Sequence, residues 1–128
     1  MDRIAVILAY VAVAIAPAAH AAEPPSGAMD RLAADKGCYL CHTAKPVPRK
    51  ADEVLPHAPS WSDIAAKYKG QRDAEERLTR IVVRGSWEEP GNRHWQGKVS
   101  DVGMPPNVPE IDARQARELV RWILAFPR

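Results

Sequence analysis

Cys38-Tyr39-Leu40-Cys41-His42 holds both cysteines of this 128-residue chain and sets a histidine directly after the second. On a helical turn, residues i, i+3 and i+4 share a face, so two thiols can reach the two vinyl groups of a haem while the next imidazole sits under the iron. Two thioether bonds and one iron ligand would then come from five residues, the attachment pattern of a c-type haem.

Three plainer readings compete with haem. A zinc site needs about four ligands, and outside the pentapeptide only His20, His57 and His94 remain, scattered singly. A thioredoxin-like redox pair needs a βαβ context, whereas the flanking sequence reads as helix and proline-rich loop. A disulfide between residues three apart closes a very small loop and stabilises little. Haem attachment carries the reading.

Upstream of the motif, residues 1–21 read as a secretory signal peptide: Asp2 and Arg3, an apolar run over 4–15, Pro17, and the A-x-A pattern Ala19-His20-Ala21. The apolar run is shorter than the ~20 residues of a bilayer span, so cleavage after Ala21, or next after Ala22, is expected, with no stable membrane insertion afterwards. Covalent haem attachment takes place outside the cytoplasmic membrane in bacteria, so a periplasmic location agrees with the motif. Residues 22–128 form one small domain with few aromatics: Trp61, Trp87, Trp95, Trp122, Tyr39, Tyr68 and Phe126. A buried macrocycle would complete such a core. The formal net charge of +2, brought close to zero by two haem propionates, makes no case for nucleic acid or for a membrane surface.

The chain then alternates helix and loop. Ser26 reads as the cap of a helix to Lys36 stopped by Gly37, with Met29, Leu32 and Ala33 on one face. Residues 43–59, with Pro46, Pro48, Pro56 and Pro59 among Lys45, Arg49, Lys50, Asp52 and Glu53, read as a surface loop in which His57 is exposed. Ser60 caps a helix over 61–69 ended by Gly70, with Trp61, Ile64, Ala65 and Tyr68 on one side. Asp73 with Glu76 predicts a capping box opening a third helix that stops at Arg84-Gly85. Asp112 with Gln115 predicts another, opening a helix through Ala116, Leu119, Val120, Ile123 and Leu124 to Phe126.

Between these last two helices, residues 86–107 form a long loop, uncommon in a compact domain unless functional. Its centre of interest is Met104, followed by Pro105 and Pro106, which hold the segment extended and suit a strap presenting one thioether. The candidates for a second iron ligand are Met104, Met29, His57 and His94. Met29 lies on an apolar helix face close before the cysteines and reads as core, which leaves Met104 in front.

The chain resembles the small bacterial class I cytochromes c, monohaem and His/Met-ligated. The residues that carry the likeness are Lys36-Gly37-Cys38-x-x-Cys41-His42, Ala58-Pro59, Ala65-Ala66-Lys67-Tyr68-Lys69-Gly70, Arg84-Gly85-Ser86, Met104-Pro105-Pro106-Asn107, and a last helix with Trp122. The resemblance implies an all-α cytochrome c fold of about four short helices and long loops wrapped around one covalently bound haem. It implies haem c on Cys38 and Cys41, His42 proximal and Met104 distal as metal ligands, and the Pro59 carbonyl orienting the His42 ring. It further implies Asn107 as donor to the Met104 sulfur and Trp95 as the indole bonding a propionate, Trp95 reading equally well as a core aromatic. The loop over 43–59 is longer than in the shortest members, 88–93 reads as an insertion, and Arg80 and Arg84 flank the place expected for a propionate arginine, where Ile81 stands.

Histidine and methionine together saturate iron, so the expected function is electron transport, not catalysis, at a positive potential. The expectation is a periplasmic monohaem electron carrier, a monomer or weak complex, that shuttles single electrons between redox protein partners. Lys45, Arg49 and Lys50 follow the motif closely enough to ring the exposed haem edge. The alternative is a dedicated cytochrome subunit or partner of a periplasmic oxidoreductase such as a sulfite dehydrogenase. A haem sensor or peroxidase would need a labile sixth ligand.

Overall fold

A computed structural model describes residues 26–86 and 95–127. The leader read over 1–21, the insertion at 88–93, Trp87 and His94 lie outside the described residues. Those described form four α-helices, α1 Ser26–Asp35, α2 Trp61–Tyr68, α3 Ala74–Arg84 and α4 Ala113–Leu124, with a 3-10 turn at Cys38–Leu40 and no strand. The expected all-α architecture is what the chain adopts. No helix among the described residues is long and apolar enough to cross a membrane.

Local chemistry sets most of the helix ends. At α2 the Ser60 hydroxyl accepts from the Asp63 amide at 3.2 Å and donates to its carboxylate at 2.7 Å, which satisfies one orphan donor of the first turn. At α4 the full capping box forms: the Asp112 carboxylate accepts from the Gln115 amide at 2.7 Å and the Gln115 side chain accepts from the Asp112 amide at 3.2 Å. The box expected at α3 does not form. Asp73 has helical backbone angles, φ −92° and ψ 0°, and makes no side-chain cap bond; a cap needs an extended residue to aim its carboxylate at the turn. The Asp73 carboxylate lies instead 3.4 Å from Arg77.

Four smaller boundaries also differ from expectation. Ser26 is the first residue of α1 rather than its cap, and α1 ends one residue early, at Asp35. Gly37, at φ 72°, stops it as expected. α2 ends at Tyr68 and α4 at Leu124, so Phe126 lies beyond the helix, where its ring packs edge-on against Trp122 at 5.2 Å.

α4 is the hub, packing against α1, α2 and α3. Its Ala116, Leu119, Val120 and Ile123 are buried together with Ala33 of α1, Trp61, Ile64 and Tyr68 of α2, and Ala74 and Val82 of α3. The i, i+3, i+4, i+7 spacing of the α4 residues makes one apolar stripe, which supplies most of the driving force for packing. At the rim Arg121 and Arg117 reach Glu75 at 2.9 and 3.7 Å; these ends remain in water, so they contribute little. The proline-rich loop is tied at both ends, by Trp61 N to Thr43 O at 2.8 Å and by Ser100 N to Pro56 O at 2.8 Å.

Candidate functional site

The pentapeptide leaves α1 through Gly37 and closes a tight turn in which the Cys41 and His42 amides both donate to the Cys38 carbonyl, at 3.3 and 3.0 Å. Tyr39 anchors the turn to α1 by donating to Asp30 at 2.5 Å and meets Trp61 edge-on at 6.0 Å. Cys38 is half-buried and Cys41 exposed, and both thiols are free. Burial raises the Cys38 thiol pKa above its ordinary value.

His42 is buried beneath this turn. Its Nδ1 lies 2.7 Å from the Pro59 carbonyl oxygen. A carbonyl only accepts, so Nδ1 carries the proton and the lone pair is left on Nε2. Trp61 stacks on the ring at 4.2 Å between centroids and 16° between planes. Burial lowers the His42 pKa, with the Pro59 hydrogen bond opposing the shift. The result is a neutral imidazole, fixed in tautomer and in plane, with one basic nitrogen to offer.

Met104 is positioned by the residues that end α3. Its amide donates to the Ser86 hydroxyl at 2.9 Å and its carbonyl accepts from the Ser86 amide at 2.8 Å. Gly85 makes this close approach possible: at φ 79° a Cβ there would stand 2.7 Å from the Met104 carbonyl oxygen and 2.8 Å from the Pro106 nitrogen. Beyond the strap, Asn107 Nδ2 donates to the Val82 carbonyl at 2.9 Å and to the Pro105 carbonyl at 3.2 Å. These two bonds tie the strap to α3.

These elements enclose a cavity of about 390 Å³, within the range of small-ligand sites. Cys38, Cys41, His42 and Met104 all line it, and Trp61, Ile64, Leu78, Ile81, Leu119 and Ile123 supply apolar wall. Pro59, Asn107 and Trp95 line it too, whereas Met29 does not and belongs to the core. The Trp95 ring lies under the Lys67 ammonium at 4.6 Å. His57 is an exposed rim residue with Nδ1 3.4 Å from the Ser100 hydroxyl. Of the three basic residues expected to ring an exposed edge, Lys45 donates to the Pro127 carbonyl at 2.9 Å and Arg49 to the Glu53 carbonyl at 2.6 Å.

No family model matches the sequence. The chain is 33% identical to cytochrome c-551 of Allochromatium vinosum over 120 residues, 93% of this chain and all of that one. It is 35% identical to cytochrome c-552 of Hydrogenobacter thermophilus over 77% of this chain and 82% of the relative. The chain belongs to the class I cytochromes c. The crystal structure of Nitrosomonas europaea cytochrome c552 superposes with a TM-score of 0.55 at 30% identity, covering 77% of this cytochrome and 99% of that one. The family's single covalently attached haem c is the cofactor, with Cys38 and Cys41 at the attachment spacing, and its members carry electrons rather than turn over substrates.

The cavity fits that group on grounds of its own. A flat apolar macrocycle matches the apolar wall, and the basic nitrogen and thioether match iron. Two buried side-chain donors among the described residues lack any hydrogen-bond partner, Trp61 Nε1 and Arg77 Nε. Both belong to residues that line this cavity. Trp61, Ser86 and Arg77 do not stand out as site residues in the sequence. Ser86 lies within the Arg84-Gly85-Ser86 signature, while Trp61 and Arg77 each stand at helical spacing from a cavity residue, Ile64 at i+3 and Ile81 at i+4.

Proposed function

We propose that this cytochrome is a periplasmic single-electron carrier whose haem c is held by Cys38 and Cys41, with His42 and Met104 as the two axial ligands. The observation that carries the reading is the convergence of the two thiols, a tautomer-fixed imidazole and a strapped thioether on one apolar cavity. When bound, the haem supplies a one-electron ferric/ferrous couple.

The rest is done by this chain. The Pro59 carbonyl holds His42 in one tautomer and ring plane, so Nε2 is the one nitrogen that would be presented to the iron. Trp61, stacked on the ring, keeps water from that side. Ser86, Gly85 and Asn107 hold the strap so that Met104 offers a neutral, soft sulfur, which favours the ferrous state. The apolar wall would disfavour the added charge of ferric iron in the same direction, which favours a positive potential. His42 and Met104 together would hold the iron and leave no open coordination site for substrate or gas ligands. The Cys41 thiol, exposed while Cys38 is half-buried, marks the edge through which an electron leaves to a redox protein partner.

Purified holoprotein tests this. The expected result is a low-spin reduced spectrum that carbon monoxide does not change at neutral pH, in protein recovered from the periplasmic fraction. Carbon monoxide binding would point to an open coordination site and overturn the carrier reading. Co-purification in a fixed ratio with a catalytic oxidoreductase would replace the free carrier with a dedicated cytochrome subunit.

A further inference from the structure

Arg77 is the one lysine or arginine among the described residues that lines the cavity. Its guanidinium lies 5.1 Å over the Tyr68 ring. Nη2 donates to Gln71 at 2.7 Å and Nη1 stands 3.4 Å from Asp73. Nε is buried and meets no acceptor. An N–H of a cation withdrawn from water and left without an acceptor is costly, so its setting lacks a group that ought to be there. A haem brings two carboxylates on its rim, and a carboxylate drawn toward an apolar cavity requires a cation or several donors beside it.

We propose that Arg77 is the charge partner of a haem carboxylate in this cytochrome, an inference that rests on the haem occupying this cavity. The placement on α3 supports it. Arg77 and Ile81, four apart, share the face turned to the cavity. Ile81 has no polar atom to offer, and Arg80 and Arg84 are exposed and do not line the cavity. The cation thus reaches the cavity one turn before the position expected from the family resemblance. The Tyr68 ring fixes the guanidinium plane from α2, and Asp73 and Gln71 hold its outer nitrogens, leaving Nε as the uncommitted donor.

The test is the pH dependence of the reduction potential of the holoprotein between about pH 4.5 and 9, where a carboxylate coupled to iron produces a sloping region around its own pKa. Besides His42, the titratable side chains around Arg77 are Tyr68 and His57, which line the cavity, and Asp73, which contacts the guanidinium from the surface. His57 lines the cavity rim, so both chains carry His57→Gln to remove its imidazole from the comparison. Loss of a cation beside a carboxylate raises its pKa by about one to three units. Arg77→Gln is therefore expected to move the sloping region to higher pH by about that amount, a tenfold or greater weakening of the acid. An unmoved curve overturns the inference.

Asp73→Asn frees the same guanidinium from its surface partner while keeping its charge, and is expected to leave the sloping region in place or lower it. An upward shift as large as that of Arg77→Gln would mean that disturbance of the α3 start is responsible, and would also overturn the inference. If Arg77→Gln yields no folded holoprotein, Arg77→Met, which keeps an aliphatic stem without the charge, is measured: an upward shift supports the role and an unmoved curve refutes it. A wild-type chain without covalent haem would remove the basis of both readings. Intact wild-type ligation with an unmoved curve removes only this one.

Discussion

Gly85 sits at φ 79° and ψ 177°, a region of backbone space open essentially to glycine alone. Gly85→Ala is expected to cost roughly 1–3 kcal/mol from backbone strain, and the new Cβ would also press on the Met104 and Pro106 backbone. A denaturant titration reads the first effect, and a weakened sulfur-to-iron absorption band in the ferric protein reads the second. Gly27→Ala gives the contrast. It lies inside α1, where an added Cβ would meet no atom within 4 Å, and is expected to stabilise by about 0.5–1 kcal/mol.

Tyr68 is one residue whose titration bears on stability. Burial raises its pKa above the ordinary tyrosine value, with the Arg77 charge pulling the other way. The unfolded chain therefore releases this proton at lower pH than the folded one. The stability contribution is fully present below about pH 10, the unfolded value, and is lost as pH rises from there through the folded pKa. Tyr68→Phe is expected to flatten the alkaline limb of a stability-against-pH curve measured on the ferrous protein. An alkaline limb unchanged by the substitution would assign the loss to other groups.

Among the elements, the two Asp-initiated helices separate a sequence signal from its realisation. Asp112→Ala is expected to destabilise by about 1 kcal/mol because a formed capping box is removed. Asp73→Ala is expected to cost only a few tenths of a kcal/mol, since it loses a largely exposed ion pair and no cap. Thermal or urea midpoints of the two variants check the difference. Both helices carry the same pattern of acid followed three residues later by Glu or Gln. What distinguishes them is the approach of the chain: the Gln71 amide donates to the Tyr68 carbonyl and the Ala74 amide to the Gln71 carbonyl, which winds Asp73 into helical angles before α3 begins. A signal confined to four residues does not contain that information. The α4 box, the Ser60 cap and the Gly37 stop were legible because each depends only on its own neighbours.

Across the whole molecule, the same division holds for the site. The thiol spacing, His42 and the Met104 strap could be read in the chain because the chemistry of a haem demands them in a fixed order. The partners of Asn107 and Trp95 could not, because they depend on which faces α2 and α3 turn to the strap. Asn107 donates to the Val82 and Pro105 carbonyls, and Trp95 lies under the Lys67 ammonium. Arg77 was hidden for a related reason, since only the fold reveals which turn of α3 meets the cavity. α4 binds these parts into one body, packing on the other three helices while its Leu119, Val120 and Ile123 form cavity wall. The proposed electron-transfer role turns on His42 and Met104 closing both faces of one haem iron. The ferric absorption spectrum of wild type beside Met104→Leu decides whether they do. The weak sulfur-to-iron band is predicted in the wild type and absent from the variant; its absence from the wild type, or its persistence in Met104→Leu, would contradict this ligation.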